Sequence, residues 1–412
     1  MSCGLSSPAK RPSPIASIKE KGRTISIMTT KSDANSTAAI LSAIALGTLG
    51  VLSFIVQPAL VQGFVTHLGL SEPEAVNLAG IEMLGVAIST ILLALPRAPF
   101  NWRGALGLGL VLAILGNIAS ALLVGSPQLW IARFLAGLGH GAIISLSFTF
   151  VGLTARVDRN IALYLVALLS YGAVGLWGMP GLLDWIGVDG LFVTFAFLLI
   201  AGFAALRHVP ASNSARGVPS PTARQLGLGL LLVGLLGVLA YNMAQGIAWA
   251  ILFLVGMRAG HSEANVAQAL FVSQIFAVIG ALGSVFLAER LGRWLPIAFG
   301  VLLGAACIAL MMGKPALMVF LIAVCGFNLL WNFALPFILG AVSDFDERGR
   351  MMGPAIAMQM IGLGGGPLLA AQLIEGGSYY SAEIVCIAFF LTSYVLLTIP
   401  MLRHRNLRTG SK

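Results

Sequence analysis

Glu82, Arg133 and His140 each stand inside a run of residues otherwise free of charge. A carboxylate or guanidinium at the centre of a membrane helix costs about 2.5 to 3.5 kcal/mol on insertion scales, so an ionisable group kept there marks a functional site by default. Counted from the same membrane face, Glu82 lies some six residues into its run and Arg133 some five, roughly 7 to 9 Å deep at 1.5 Å per residue. At that depth they can pair. A nearby cation favours the charged form of a carboxylate and burial opposes it, which makes Glu82 the expected proton-coupling group and Arg133 its tuner. A fixed structural ion pair, or a Glu82 near enough to the outer interface to reach water, is the competing reading. His140 follows Arg133 by two helical turns on the same face and suits a proton relay or a substrate contact. The alternative is a neutral histidine bonded to a neighbouring helix through the gap left by Gly139 and Gly141.

Uncharged polar residues form a second pattern. Asn242, Gln245 and Trp249 fall at i, i+3 and i+7 beside Tyr241, and Asn328, Trp331 and Asn332 fall at i, i+3 and i+4. Amides turned to acyl chains would be costly, so both stripes must face protein or water. They line a cavity, or they join helices with bonds worth about 0.6 kcal/mol each on average. Gln57 and Ser53 form a weaker pair in the first run, because Gln57 beside Pro58 can bond to backbone freed by a kink.

The elements that must hold these residues are set by composition. Of 412 residues, 58% are apolar and 9% charged, with mean hydropathy +0.95. Soluble chains carry about 25% charge, so the solvent here is a bilayer and most soluble enzyme classes are excluded. Runs long enough to cross about 30 Å of hydrocarbon occupy 38–64, 77–95, 104–124, 129–153, 161–182, 190–207, 226–256, 265–287, 295–312, 316–341, 352–374 and 383–402. With a cytoplasmic amino terminus, all of the 24 Lys and Arg except Arg133, Arg258 and Lys314 fall on the cytoplasmic side, which fixes the orientation by the positive-inside rule. Both termini are then cytoplasmic, in a multi-pass protein of the cytoplasmic (inner) membrane. Residues 1–37 read as a disordered cytoplasmic tail without a signal peptide, Met28 being an alternative start, and 403–412 as a second tail. Cys3, Cys307, Cys325 and Cys386 form no CxxC and support neither a disulfide framework nor a zinc site.

The polar stretch 208–225 reads as a cytoplasmic linker between six-helix bundles at 38–207 and 226–402. The halves look duplicated: at one constant offset, Gly47-Thr-Leu-Gly50-Val-Leu-Ser-Phe54 matches Gly234-Leu-Leu-Gly237-Val-Leu-Ala-Tyr241, and Gly175-Leu-Trp-Gly178-Met-Pro180 matches Gly362-Leu-Gly-Gly365-Gly-Pro367. Paired halves rocking about a midplane site are a transporter architecture. The run Arg133-Phe-Leu-Ala-Gly137 resembles the fourth-helix Arg-x-x-x-Gly motif of the major facilitator superfamily. Leu287-Ala-Glu289-Arg290-Leu-Gly292-Arg293 resembles that family's cytoplasmic loop motif, with Glu for the usual Asp. The corresponding loop in the first half, Leu95 to Arg103, has lost the acidic residue and the Gly, and the fifth run only partly matches the glycine-rich motif of the family's exporters. The resemblance covers about residues 38–402. It implies an all-α membrane protein of twelve transmembrane helices in two pseudo-symmetric bundles, a cavity lined by the first, fourth, seventh and tenth, and a cytoplasmic gate at Glu289, Arg290 and Arg293. The expected substrate contacts are Gln57, Arg133, Tyr241, Asn242, Gln245, Trp249, Asn328, Trp331 and Asn332. The acidic loop from Asp344 to Glu347 is expected as solvated charge, or as a gate salt bridge to Arg156 or Arg159.

No phosphate loop, HExxH or Gly-x-Ser-x-Gly elbow occurs in the sequence, so neither catalysis, a cofactor nor a metal is expected. The leading expectation is a monomeric, proton-coupled secondary transporter of a small organic solute, Arg133 suggesting a carboxylate and the aromatic residues an apolar body. The alternatives are a proton antiporter exporting hydrophobic or drug-like compounds and, in another class, a membrane sensor or receptor that does not transport. Substrate and direction are not written in the sequence.

Overall fold

The computed structural model describes residues 35–94, 101–154, 156–209, 226–287, 290, 292–345, 351–374 and 378–409. The amino-terminal tail up to 34, most of the linker, Arg97, Glu289 and the acidic residues Asp346 and Glu347 lie outside the described residues. Among the described residues there are thirteen helices and no β-strand: α1 (Thr37–Gly50), α2 (Gln57–Leu68), α3 (Glu72–Ala94), α4 (Trp102–Leu122), α5 (Leu129–Val151), α6 (Val157–Ile200), α7 (Gly202–Leu206), α8 (Leu228–Arg258), α9 (Glu263–Leu287), α10 (Trp294–Met311), α11 (Leu317–Asp344), α12 (Met352–Leu373) and α13 (Tyr380–Thr409). Among the described residues, ten helical segments are long and apolar enough to cross a membrane. Large apolar side chains stand fully outward, Leu122 at 80% and Phe286 at 75% exposure, a surface that water would not tolerate but lipid does. The chain is an all-helical multi-pass membrane protein.

Helix boundaries follow local chemistry. α3 begins earlier than hydropathy indicated, because Glu72 and Glu74 occupy its first turn, where the helix dipole favours anions. Glu74 also bonds back to the Ser71 backbone N–H and hydroxyl at 3.0 and 2.7 Å, a capping box. Glu82 therefore sits about ten residues, roughly 15 Å, below the start of its helix, deeper than the sequence suggested.

One expectation about continuity is corrected. The first run is not one helix: 51–56 is a string of turns between α1 and α2. Pro58 is no mid-helix kink but stands in the opening turn of α2, where its missing N–H costs nothing. Between the fifth and sixth runs the connection is very short: α6 consists of two helical stretches that meet in a sharp break at Gly187, at φ 68° and ψ −179°, a conformation that only glycine adopts readily.

Packing brings α3 and α4 against α5, α9 and α10 against α11, and α12 and α13 against α8, while α3 meets α12, α6 meets α9 and α2 meets α8. Small residues permit these approaches. A Cβ added to Gly137 of α5 would run into the Glu82 carbonyl of α3, and one added to Gly280 of α9 into the Leu329 carbonyl of α11.

Candidate functional site

The close approach of α3 and α5 delivers Glu82 to Arg133. Both are buried, at 3% and 0% exposure, and Glu82 Oε2 forms an ion pair with an Arg133 Nη2 nitrogen. The rest of the guanidinium is dressed by neutral groups. Arg133 donates to Asn117 Oδ1 of α4 at 3.0 Å and to the Ser53 hydroxyl of the 51–56 turns at 3.1 Å, with Ser120 at 3.5 Å. Its carbon lies 4.5 Å from the ring centroid of Phe192, a cation–π geometry. Two atoms are left over: Glu82 Oε1 and Arg133 Nε are buried and make no hydrogen bond.

His140 is joined to this cluster. Its Nε2 lies 3.3 Å from Asn117 Nδ2, and that amide donates to the Ala113 carbonyl at 2.8 Å. The ring lies against the Leu49–Gly50 backbone at the end of α1, and Nδ1 has no hydrogen bond. Asn117 thus bridges the ion pair and the histidine. Sequence reasoning missed it, although Asn117 and Ser120 at i and i+3 in an apolar run carry the same signal as the other amide stripes. Nothing in the sequence points to Phe192.

The amide and indole residues divide into tied and open sets. Trp249 Nε1 of α8 donates to the Phe54 carbonyl at 3.0 Å, and Tyr171 of α6 donates to the Leu52 carbonyl at 2.6 Å. These aromatic donors satisfy carbonyls freed by the break in the first run, the part that sequence reasoning gave to Gln57; Gln57 Nε2 is instead buried without a partner. Asn242 donates to its own helix at Val238 O, 2.9 Å, and lies against Gly362 of α12. Asn328 is an interhelical tie, donating to Ser273 Oγ of α9 at 2.9 Å. Gln245 is buried with Oε1 unbonded. Trp331 and Asn332 are half-buried; Trp331 stands edge-on to Trp249 at 5.8 Å between centroids, and its carbonyl accepts from Tyr241 at 3.4 Å.

Burial differs along the molecule. Call the end that carries Leu68, Glu72, Arg258 and Tyr380 the Leu68 end, and the opposite one the Asp344 end. From Tyr241 to Gly256, towards the Leu68 end, every residue of α8 except Met243 is buried. Nearer the Asp344 end, Ile356 to Met360 of α12 are half-exposed, as are Trp331 to Phe333 midway along α11. Of the expected gate residues, Arg290 is exposed and Glu289 lies outside the described residues. Arg293 meets Asp344 in a two-pronged ion pair, Nε to Oδ2 at 3.0 Å and Nη2 to Oδ1 at 3.4 Å. Among the described residues the ion-pair partner of Asp344 is Arg293 and not Arg156 or Arg159: the short link between α9 and α10 puts Arg293 beside the end of α11. In the first half Arg103 bonds to the carbonyls of Val209 and Arg207 at 2.6 and 3.1 Å.

The sequence matches no protein-family model and no curated protein. The structure is similar to that of a D-xylose–proton symporter, with TM-score 0.67 and 16% identity over 86% of this chain and 96% of that one. It is similar to the POT family transporter PepTSo, with TM-score 0.69 and 12% identity over 89% and 98%. It also resembles FucP, a major facilitator superfamily transporter solved in the outward conformation, with TM-score 0.58 and 15% identity over 89% and 99%. Likeness at such low identity, spanning nearly the whole of each chain, is likeness of architecture: this chain has the fold of the major facilitator superfamily.

Proposed function

We propose that the chain is a secondary active transporter of a small organic solute, driven by protons and working by alternating access. The fold supports the class of activity, since its structural neighbours are a sugar–proton symporter and other transporters. The span count supports the architecture. α1 with α2 makes one crossing, α6 with α7 makes two about Gly187, and the other nine long helices make one each, which gives twelve crossings in bundles at 38–207 and 226–402. The Lys and Arg distribution supports a cytoplasmic Asp344 end with both termini on that side, in the cytoplasmic membrane. The looser packing there then corresponds to a protein closed outwards and relaxed inwards.

The observation that carries the coupling is the incomplete bonding of the buried pair, Glu82 Oε1 and Arg133 Nε both lacking partners. A proton on Glu82 removes its charge and leaves the guanidinium with only neutral partners, Asn117, Ser53, Ser120 and Phe192. An uncompensated buried charge is unfavourable by several kcal/mol, so α3 and α5 reseat. The displacement has a path outward, because Gly80 lies against Leu368 of α12, and Met83 and Leu84 lie against Gly364, on the seam between the bundles. His140 stands next to the pair through Asn117 and serves as relay. Trp331 and Asn332 supply the first solute contacts; Gln57, Tyr241, Asn242, Gln245, Trp249 and Asn328 join as the seam opens. A solute carboxylate reaches Arg133 by displacing Glu82, which links its binding to proton uptake.

The test is reconstitution. A solute identified by stabilising the purified protein exchanges in counterflow and accumulates under an imposed pH gradient. Glu82→Gln keeps counterflow and loses gradient-driven accumulation. Unchanged proton dependence in Glu82→Gln rules out the coupling role; a stabilising solute that wild type never moves favours a sensor.

A further inference from the structure

The first turn of α13 carries a carboxyl that the proposed cycle does not use. Glu383 is 4% exposed. Among the described residues its side chain has no ion-pair partner and no hydrogen bond. It lines a cavity of about 10 Å³ with Leu252 and Val255 of α8, Ile308 and Met311 of α10, and Cys386 one turn along α13. The accessible surface inside it is apolar throughout, so it offers the carboxyl no hydration.

The titratable neighbours are few. Cys386 shares the cavity, and its thiol donates to the Ala244 carbonyl at 3.2 Å. Tyr379 stands one turn before Glu383, and Glu72 of α3 and Arg258 of α8 lie about Tyr379. The cavity walls contributed by α8 and α10 are apolar. A lone carboxylate in such a place lacks both counter-ion and donors and is strongly disfavoured. The neutral acid carries no charge to desolvate and is far less disfavoured there. Protonation and packing are therefore linked: the closed seam between α8, α10 and α13 suits the neutral acid, and ionisation demands that it open to admit water.

We propose that Glu383 is a second proton-binding carboxyl of this protein, set among the carboxy-terminal helices and loaded from the Leu68 end. Its position gives the proton a mechanical outlet. Ala248 and Leu252, which line the cavity, flank Trp249 on α8, and Trp249 is the donor to the Phe54 carbonyl. Swelling at the cavity pushes α8 from one face while the indole holds it from another. The inference goes beyond coupling at Glu82 and stands whether or not that coupling holds.

The test needs no solute. Dicyclohexylcarbodiimide is an apolar reagent that adds to protonated carboxyl groups in membrane interiors and spares carboxylates. The purified full chain is treated with it at steps between about pH 5 and about pH 9, the interval in which displaced carboxyls titrate, and the peptide containing Glu383 is quantified by mass spectrometry. The adduct is expected at the acid end and falls about tenfold per pH unit beyond the midpoint. Glu383→Gln removes it, and Glu82→Gln leaves both its amount and its pH profile unchanged. Absence of the adduct at the acid end, or a yield flat across the interval, overturns the proposal. If Glu383→Gln fails to fold, the wild-type profile alone decides. Failure of transport in any variant leaves this profile untouched, so the two readings fall separately.

Discussion

Removing one member of a buried ion pair strands the other, and the resulting loss exceeds what the pair itself contributes. Glu82→Leu is therefore expected to destabilise the protein by about 3–5 kcal/mol, and the double variant Glu82→Leu/Arg133→Met to recover most of it. Thermal unfolding in detergent reads both; simple additivity of the two single substitutions would mean that the side chains act independently. Asn117→Ala removes an acceptor from Arg133 and the neighbour of His140 in one step, at about 1–3 kcal/mol for the groups left unsatisfied. Glu82 and Arg133 were legible in the sequence because charge in an apolar run has no cheap explanation. Their neutral escorts were less so. Asn117 is an amide like those singled out elsewhere, while a phenylalanine that faces a guanidinium looks like any other phenylalanine. Glu383 stood at the edge of a hydropathy window, where a carboxylate is taken for an interfacial residue; only the folded helix shows that it points inwards.

At the scale of the element, position depends on backbones in near contact. Gly137 lets α5 lie on the Glu82 carbonyl, so Gly137→Ala must push α3 away at a cost of about 1–3 kcal/mol. Gly280→Ala is expected to cost a similar amount where α9 meets α11. The two differ in function: the first also parts Glu82 from Arg133 and abolishes proton-driven accumulation, while the second lowers the melting temperature and leaves the dependence on the pH gradient intact. Most helices could be read from hydropathy to within a few residues, since lipid exposure demands apolar length. What the hydropathy hid was interruption. The turns at 51–56 are as apolar as the helices beside them, whereas the bend at Gly187 falls inside the gap between the runs 161–182 and 190–207, with Asp184 and Asp189 on either side of it. Helix starts at Glu72 and Glu263 were clipped because first-turn acids look hydrophilic to a hydropathy average.

For the whole molecule, the difference between its ends sets an expectation for accessibility. With the native cysteines replaced, a cysteine at Asn332 is expected to react with a bulky polar maleimide several-fold faster than one at Gln245, which is 1% exposed. A reversed order would mean that the Leu68 end is the open one in the resting protein. Trp249→Phe keeps the ring and deletes the donor to the Phe54 carbonyl, a bond worth about 0.5–1.5 kcal/mol, and should raise labelling at Gln245 by several-fold. Both aromatic donors at the interrupted first run seize main-chain oxygens, at Leu52 and Phe54. Main-chain oxygens cannot be mutated away. Side chains from Val51 to Val56 are thereby released from any duty in that clasp, and a protein engineer seeking a leakier or a tighter vestibule has only two handles to turn, the phenol and the indole that reach in from other helices.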